Sequence, residues 1–262
     1  MRRYLMLAFI LFMVAGLSSC TEDEFIDPAT VNLKITMTNP EPFDDQPGGG
    51  PPFEDELEFS MGKLHLSSVE FDGERENNDS HYFSRDFSET LVADLSEGTL
   101  NQSVSFDIPQ GSYKHIRLRL HTCQTDSCAG LVFRGRWGRD DDDDDDDGDD
   151  DDTGKKRGHI PDDPEELPIE LNFFEQAETI PLTLRTQDNQ QQILIEQDNW
   201  DTLEITIDLA HMFRYINPGK LRQAQVHGSG NKRKIIVSAQ HNTEIYYSLM
   251  ERVERSITAV IK

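Results

Sequence analysis

Apolar and polar residues alternate with a period of two along most of this chain, the mark of strands with one face buried. In the first such run Val31, Leu33, Ile35 and Met37 face one way, and Asn32, Lys34, Thr36 and Thr38 the other. The next run, from Leu57 to Phe71, changes phase twice. Leu57, Phe59 and Met61 are odd, Leu64 and Leu66 even, and Val69 and Phe71 odd again. Gly62 and the Ser67-Ser68 pair stand at the slips, which predicts bulges or bends there. A polar turn, Asp72 to Ser80, leads to weak strands near His81 to Phe87 and at Leu91 to Leu95. Val104, Phe106 and Ile108 then alternate into Pro109-Gln110-Gly111-Ser112, and Ile116, Leu118 and Leu120 return beyond it. That spacing predicts a hairpin.

Further strands are predicted at Leu131 to Trp137, Leu167 to Phe173, Ile180 to Leu184, Ile193 to Ile195, Leu203 to Leu209 and Lys234 to Ala239. Two stretches follow a helical period instead. Leu209, Met212, Phe213 and Ile216 form one, stopped by Asn217-Pro218-Gly219, and Ile245, Leu249 and Val253 form the other, with Asn242 placed to cap it. Ser256 to Lys262 fits either a continued helix or a returning strand. The pattern as a whole predicts a mainly β domain of β-sandwich type with one or two peripheral helices.

The N-terminus breaks this pattern. Arg2 and Arg3 precede an apolar run from Tyr4 to Gly16, and Leu17-Ser18-Ser19-Cys20 follows. This is the charged, apolar, small-residue order of a secretory signal, and the run is shorter than the roughly 20 residues that span a bilayer. Leu-Ser-Ser-Cys resembles the lipobox of bacterial lipoproteins. The resemblance implies a signal peptide over 1–19, cleavage, and lipidation of Cys20 as the new N-terminus. Residues 20–29 form a tether in which Glu22, Asp23 and Glu24 resemble the acidic export signal of Bacteroidota-type surface lipoproteins. That resemblance implies an outer-membrane, lipid-anchored protein exposed at the cell surface. A plain solvated linker is the alternative reading of the same acids.

Charge then narrows the partners. Without Arg2 and Arg3 the basic residues fall from 25 to 23 against 50 acidic ones, and the net charge moves from −25 to −27. Such a chain repels phosphate backbones, which argues against nucleic acid as a partner. Besides Cys20 the only cysteines are Cys123 and Cys128, an even pair in an exported chain. A disulfide between them is the natural reading, contributing about 2 kcal/mol for so short a loop. A metal site of both cysteines with His121 is the rival, short of a fourth ligand.

Twelve aspartates fill 140–152 around Gly148, flanked by Arg134, Arg136 and Arg139 before and Lys155, Lys156 and Arg157 after. Like charges this dense repel one another, which predicts a disordered acidic loop over 138–165 inserted into the domain of 30–262. Asp143, Asp145, Asp147 and Gly148 match the opening of a calcium loop, with Asp149 beside them. The twelfth position is Gly154, however, where that loop needs a bidentate glutamate. Loose, weak calcium condensation fits better than an ordered site, and no other cofactor is indicated.

The middle of the chain resembles an uncharacterised (domain-of-unknown-function) family of bacterial surface lipoproteins. Thr38-Asn39-Pro40 stands at its first turn and Leu64 to Phe71 for its long strand. Ile108-Pro109-Gln110-Gly111-Ser112-Tyr113 with Ile116-Arg117-Leu118 stands for its Pro-x-Gly hairpin. The likeness spans residues 31 to about 209 and departs in lacking the turn aspartate and alanine, in the Pro/Gly loop, in the Asp insertion and in the C-terminal helix. It implies a transthyretin- or immunoglobulin-like sandwich, and no activity.

Catalytic signatures are missing from the sequence: no Gly-x-Ser-x-Gly elbow, no His-Glu-x-x-His and no phosphate loop. His65 and His115 lie within strand patterns, where surface or satisfied histidines are the plain reading. Acidic pairs are too abundant to nominate any as glycosidase carboxylates. Trp137 and Trp200 are candidates either for stacking on sugar rings or for closing the core. The reading is a non-catalytic, structural or adhesive surface module that binds a protein or glycan partner. A cation-binding protein acting through the Asp tract comes second and a glycan hydrolase third.

Overall fold

The computed structural model describes residues 27–38, 57–123, 129–138, 166–186, 192–196, 202–214 and 216–262. Cys20 and the signal segment, Cys128, the Asp tract with its candidate calcium ligands, and Trp200 lie outside the described residues.

The described chain is mainly β, a curled mixed sheet with few helices. In order come β1 (Ala29–Thr38), β2 (Leu57–Arg75), β3 (Ser80–Asp94), β4 (Thr99–Leu100), β5 (Ser105–Ile108), β6 (Gly111–Thr122) and β7 (Leu131–Gly138). Then follow β8 (Glu166–Phe173), β9 (Thr179–Thr186), β10 (Ile193–Ile195) and β11 (Thr202–Asp208). Last come α1 (Leu209–Phe213), α2 (Pro218–Arg222), β12 (Val226–His227), β13 (Lys234–Val237), α3 (Thr243–Val253) and β14 (Ile257–Ile261).

β2 is the spine. One edge pairs with β3, while the other carries β7 along Leu57 to Leu64 and β6 along Leu66 to Arg75. From β7 the sheet continues through β8 and β13 to β12, and from β6 through β9, β14, β11 and β1 to β5. The curl brings β1 and β2 to Leu95, whose N–H donates to Gly62 O at 2.8 Å and whose carbonyl accepts from Met37 N–H at 3.1 Å.

The predicted phase slips on β2 are real. Leu57 and Phe59, then Leu64 and Leu66, then Val69 and Phe71 are all buried, with the register shifting between Phe59 and Met61 and between Leu66 and Ser68. The first shift falls just ahead of Gly62, so Met61 turns outward instead of joining Phe59 in the core. Where β2 bulges it presses on β7. A Cβ on Gly135 would lie 1.9 Å from Glu58 O, so only glycine fits there.

Several expectations need correction. The hairpin across Pro109 does not form: β5 pairs with β1, whereas β6 pairs with β2, β9 and β10. Alternation placed both strands correctly, but the connection passes from one part of the sheet to another. The two weak strands after Ser80 are one 15-residue strand along β2, with an irregularity between Asp86 and Leu91 where the register shifts. Asn217 does not end helical structure but begins α2, its Oδ1 accepting from Gly219 N–H at 2.8 Å. Asn242 precedes α3 in a left-handed conformation (φ 51°) without capping it by side chain. Its amide instead donates to Ile236 O at 2.7 Å and to Gln225 O at 3.0 Å, tying α3 to the end of β13. Ser256 to Lys262 becomes β14, between β9 and β11.

α1 and α3 lay their apolar stripes on the core, Phe213 against Phe59 with ring centroids 5.5 Å apart and Tyr246 against Phe173 at 5.8 Å. Trp137 is 1% exposed, so it closes the core and presents no platform to a sugar.

Candidate functional site

Three strand paths bulge or break at one level along β2. On β3, Phe87 to Thr90 stand opposite the single Ser67 of β2. β6 ends at Thr122 opposite Leu66, and β7 resumes in the same direction at Leu131 opposite Leu64. β8 ends at Phe173 opposite Leu131, and β9 resumes at Thr179 opposite His121. Backbone bonds stitch the gap. His65 N–H donates to Gly130 O at 2.8 Å and its carbonyl accepts from Cys123 N–H at 3.2 Å. Gly130 N–H donates to Phe174 O at 2.9 Å, and Thr122 N–H to Glu178 O at 3.0 Å. Phe174, buried at the turn, holds φ at 55°. A left-handed non-glycine residue costs on the order of 1–3 kcal/mol and persists where its surroundings over-determine it.

Interrupted strands cannot keep a flat face, and a cleft of about 870 Å³ opens along the line. Met61, Lys63 and His65 of β2, Arg134 of β7 and Glu170 and Asn172 of β8 line one part of it. Glu175, Gln176 and Glu178 from the break, with Gln240 and Tyr246, line the other. A smaller cleft of about 320 Å³ lies further along the same line, bounded by Ser67, Ser68, His121, Thr122, Ala177, Glu178 and Thr179. Glu178 therefore faces both.

The floor is held by ion pairs. Burial alone would raise Glu170, but Lys234 at 3.0 Å, Asn172 at 3.2 Å and Arg134 at 3.3 Å hold its carboxyl below the usual range. Arg136 likewise meets Glu166 at 3.2 Å. Arg134 and Arg136, which the sequence set beside the Asp tract, thus have partners on the neighbouring strand. His65 Nδ1 is 2.9 Å from Ala129 O, the satisfied histidine expected, while His115 Nε2 lies 3.6 Å from Glu74.

Beyond the smaller cleft, His121 Nδ1 is 3.0 Å from Thr179 Oγ1. Its Nε2 is 3.1 Å from Glu70 Oε1, close enough for an ion pair though out of line for a hydrogen bond. Among the described residues no group of three or more His, Cys, Asp or Glu side chains converges as metal ligands. Cys123 is buried at the end of β6.

Aromatic groups stand beside the cleft that sequence reasoning did not single out. Tyr246 lines it, and Tyr247, 61% exposed, meets the Tyr246 ring at 5.3 Å edge to face. The helical stripe read from the sequence passed over both, because adjacent positions on a helix point apart. Only the end of β8 beneath α3 turns Tyr246 inward.

No helix among the described residues is long and apolar enough to cross a membrane. Comparison with known proteins finds no matching family model, no similar curated protein and no similar solved structure.

Proposed function

We propose that this protein is a lipid-anchored module of the bacterial cell surface, non-catalytic, that binds a glycan or protein partner in the cleft along the strand interruptions. The observation carrying this reading is a polar cleft of about 870 Å³ with Tyr246 on its wall and the 61% exposed Tyr247 ring edge to face with it. Amide and carboxylate side chains beside an exposed aromatic suit sugar hydroxyls and an apolar sugar face. The curled sheet is read as a transthyretin- or immunoglobulin-like β-sandwich. The bulges at one level support that finer description, since strands of a sandwich pass between its layers at bulges or bends. A glycan array probed with the full-length protein in detergent tests the function. Binding of at least one glycan family, weakened about tenfold (~1.4 kcal/mol) by Tyr247→Ala with an unchanged melting temperature, is expected. An array without signal, or signal indifferent to Tyr247, counts against a glycan.

The anchor rests on the Leu17-Ser18-Ser19-Cys20 sequence. Labelled palmitate should enter the wild type and not Cys20→Ser, and equal incorporation would remove the surface-lipoprotein reading. The cysteine pair is proposed as a Cys123–Cys128 disulfide, so unreduced protein should resist thiol labelling at both positions. The second functional reading, loose calcium binding by Asp143, Asp145, Asp147 and Asp149, rests on the tract's charge.

A further inference from the structure

The wall of the cleft made by 175–178 and α3 carries polar groups that the fold does not use. Tyr246 is only 6% exposed and lines the cleft, yet its hydroxyl makes no hydrogen bond to a described residue. A hydroxyl that faces the cleft without a protein partner is open to a ligand that supplies one. Burial, and then the charges of Glu175 and Glu178, push this phenol above its usual range. It therefore keeps its proton, and both carboxylates line the same cleft.

Among the described residues neither cation of the cleft pairs with this wall: Arg134 is bonded to Glu170, and Lys63 sits opposite Asp94 in the β2–β3 pairing. Glu175 accepts from Gln240 Nε2 at 2.7 Å, but among the described residues neither Glu175 nor Glu178 forms an ion pair with a cation. The uncompensated charge at this wall is thus negative, within a protein of net charge −25. Anionic sugars meet repulsion there, and neutral ones gain nothing from the charge.

Resting on the glycan reading above, we propose that this wall is a subsite for an amine-bearing sugar. Its ammonium is recognised by Glu175 and Glu178, and one of its oxygens accepts from the Tyr246 hydroxyl.

The test compares a glucosamine tetrasaccharide with its fully N-acetylated counterpart, titrated by calorimetry into the full-length protein at about pH 6 and low salt. The free amine should bind about tenfold more tightly, and the advantage should shrink as added salt screens the site. Glu178→Gln should abolish most of that preference while leaving the N-acetylated sugar unaffected, and Tyr246→Phe should weaken both; melting curves confirm that each variant is folded. Equal binding of the two sugars with an inert Glu178→Gln overturns the amine subsite but leaves glycan binding standing. Failure of these and all arrayed sugars removes both. A lysine oligomer that binds as tightly as the amine sugar, with the same dependence on Glu178, makes the wall a cation-selective protein contact and overturns the sugar assignment.

Discussion

The outer face of β2–β6 and the wall of the cleft are built from the same kinds of residue and put them to opposite use. On the outer face Glu70 meets Arg119 at 3.2 Å and His121 at 3.1 Å, Asp72 meets Arg119 at 3.8 Å, and Glu74 meets Lys114 at 3.4 Å. Acids and bases stand across paired strands, so Glu70, Asp72 and Glu74 each find a base opposite or diagonal. At the cleft wall the register has stopped. Glu175 and Glu178 lie between β8 and β9, where no strand places bases opposite them. Regular pairing consumes charge, and its interruption leaves charge available to a ligand.

The strongest way to break this contrast is to remove the floor of the cleft. Phe173 is fully buried under Tyr246 and packs edge-on against Phe133 at 6.4 Å. Phe173→Ala should cost about 3–5 kcal/mol, seen in denaturant melts, and should abolish ligand binding. A near-neutral result would mean that the wall does not depend on the core beneath it.

A smaller effect sharpens the other side. Burial works against the Glu70 charge, but Arg119 and His121 hold its carboxyl below the ordinary 4.5. Its contribution is therefore complete above about pH 4.5 and is lost as pH falls through the lower folded value. Glu70→Gln should cost under about 1 kcal/mol at neutral pH, since such surface pairs are weak, and should flatten the acid limb of stability against pH. An unchanged acid limb would show that this ladder does not contribute to the fold.

The smallest effect concerns the third acidic region. Deleting 140–152 removes twelve aspartates between β7 and β8. Long surface insertions cost little entropy, and self-repulsion opposes compaction, so melting should be equal or slightly higher at low salt. Calcium should raise the wild type modestly, at millimolar levels only. A large stabilisation at micromolar calcium, lost on deletion, would make the tract an ordered site and favour the cation-binding reading.

The period-two pattern determined nearly every strand and even the faults in β2, because burial of one face is a local property of a pleated chain. It also marked the buried stripes of α1 and α3 through Met212, Phe213, Leu249 and Val253. Partners were another matter. Which strand meets which depends on contacts far apart in sequence, so Pro109-Gln110 read as a hairpin turn although β5 belongs beside β1 and β6 beside β2. Asn242 read as a helix cap, and only the approach of Gln225 and Ile236 gave its amide other work. The candidate site was least legible of all. No local signal joins the Ser67 bulge, the gap before Leu131 and the break at 174–178. The tertiary structure alone brings them to one level, because a sheet interrupted in one strand must be accommodated by its neighbours, and the cleft is the space that this leaves.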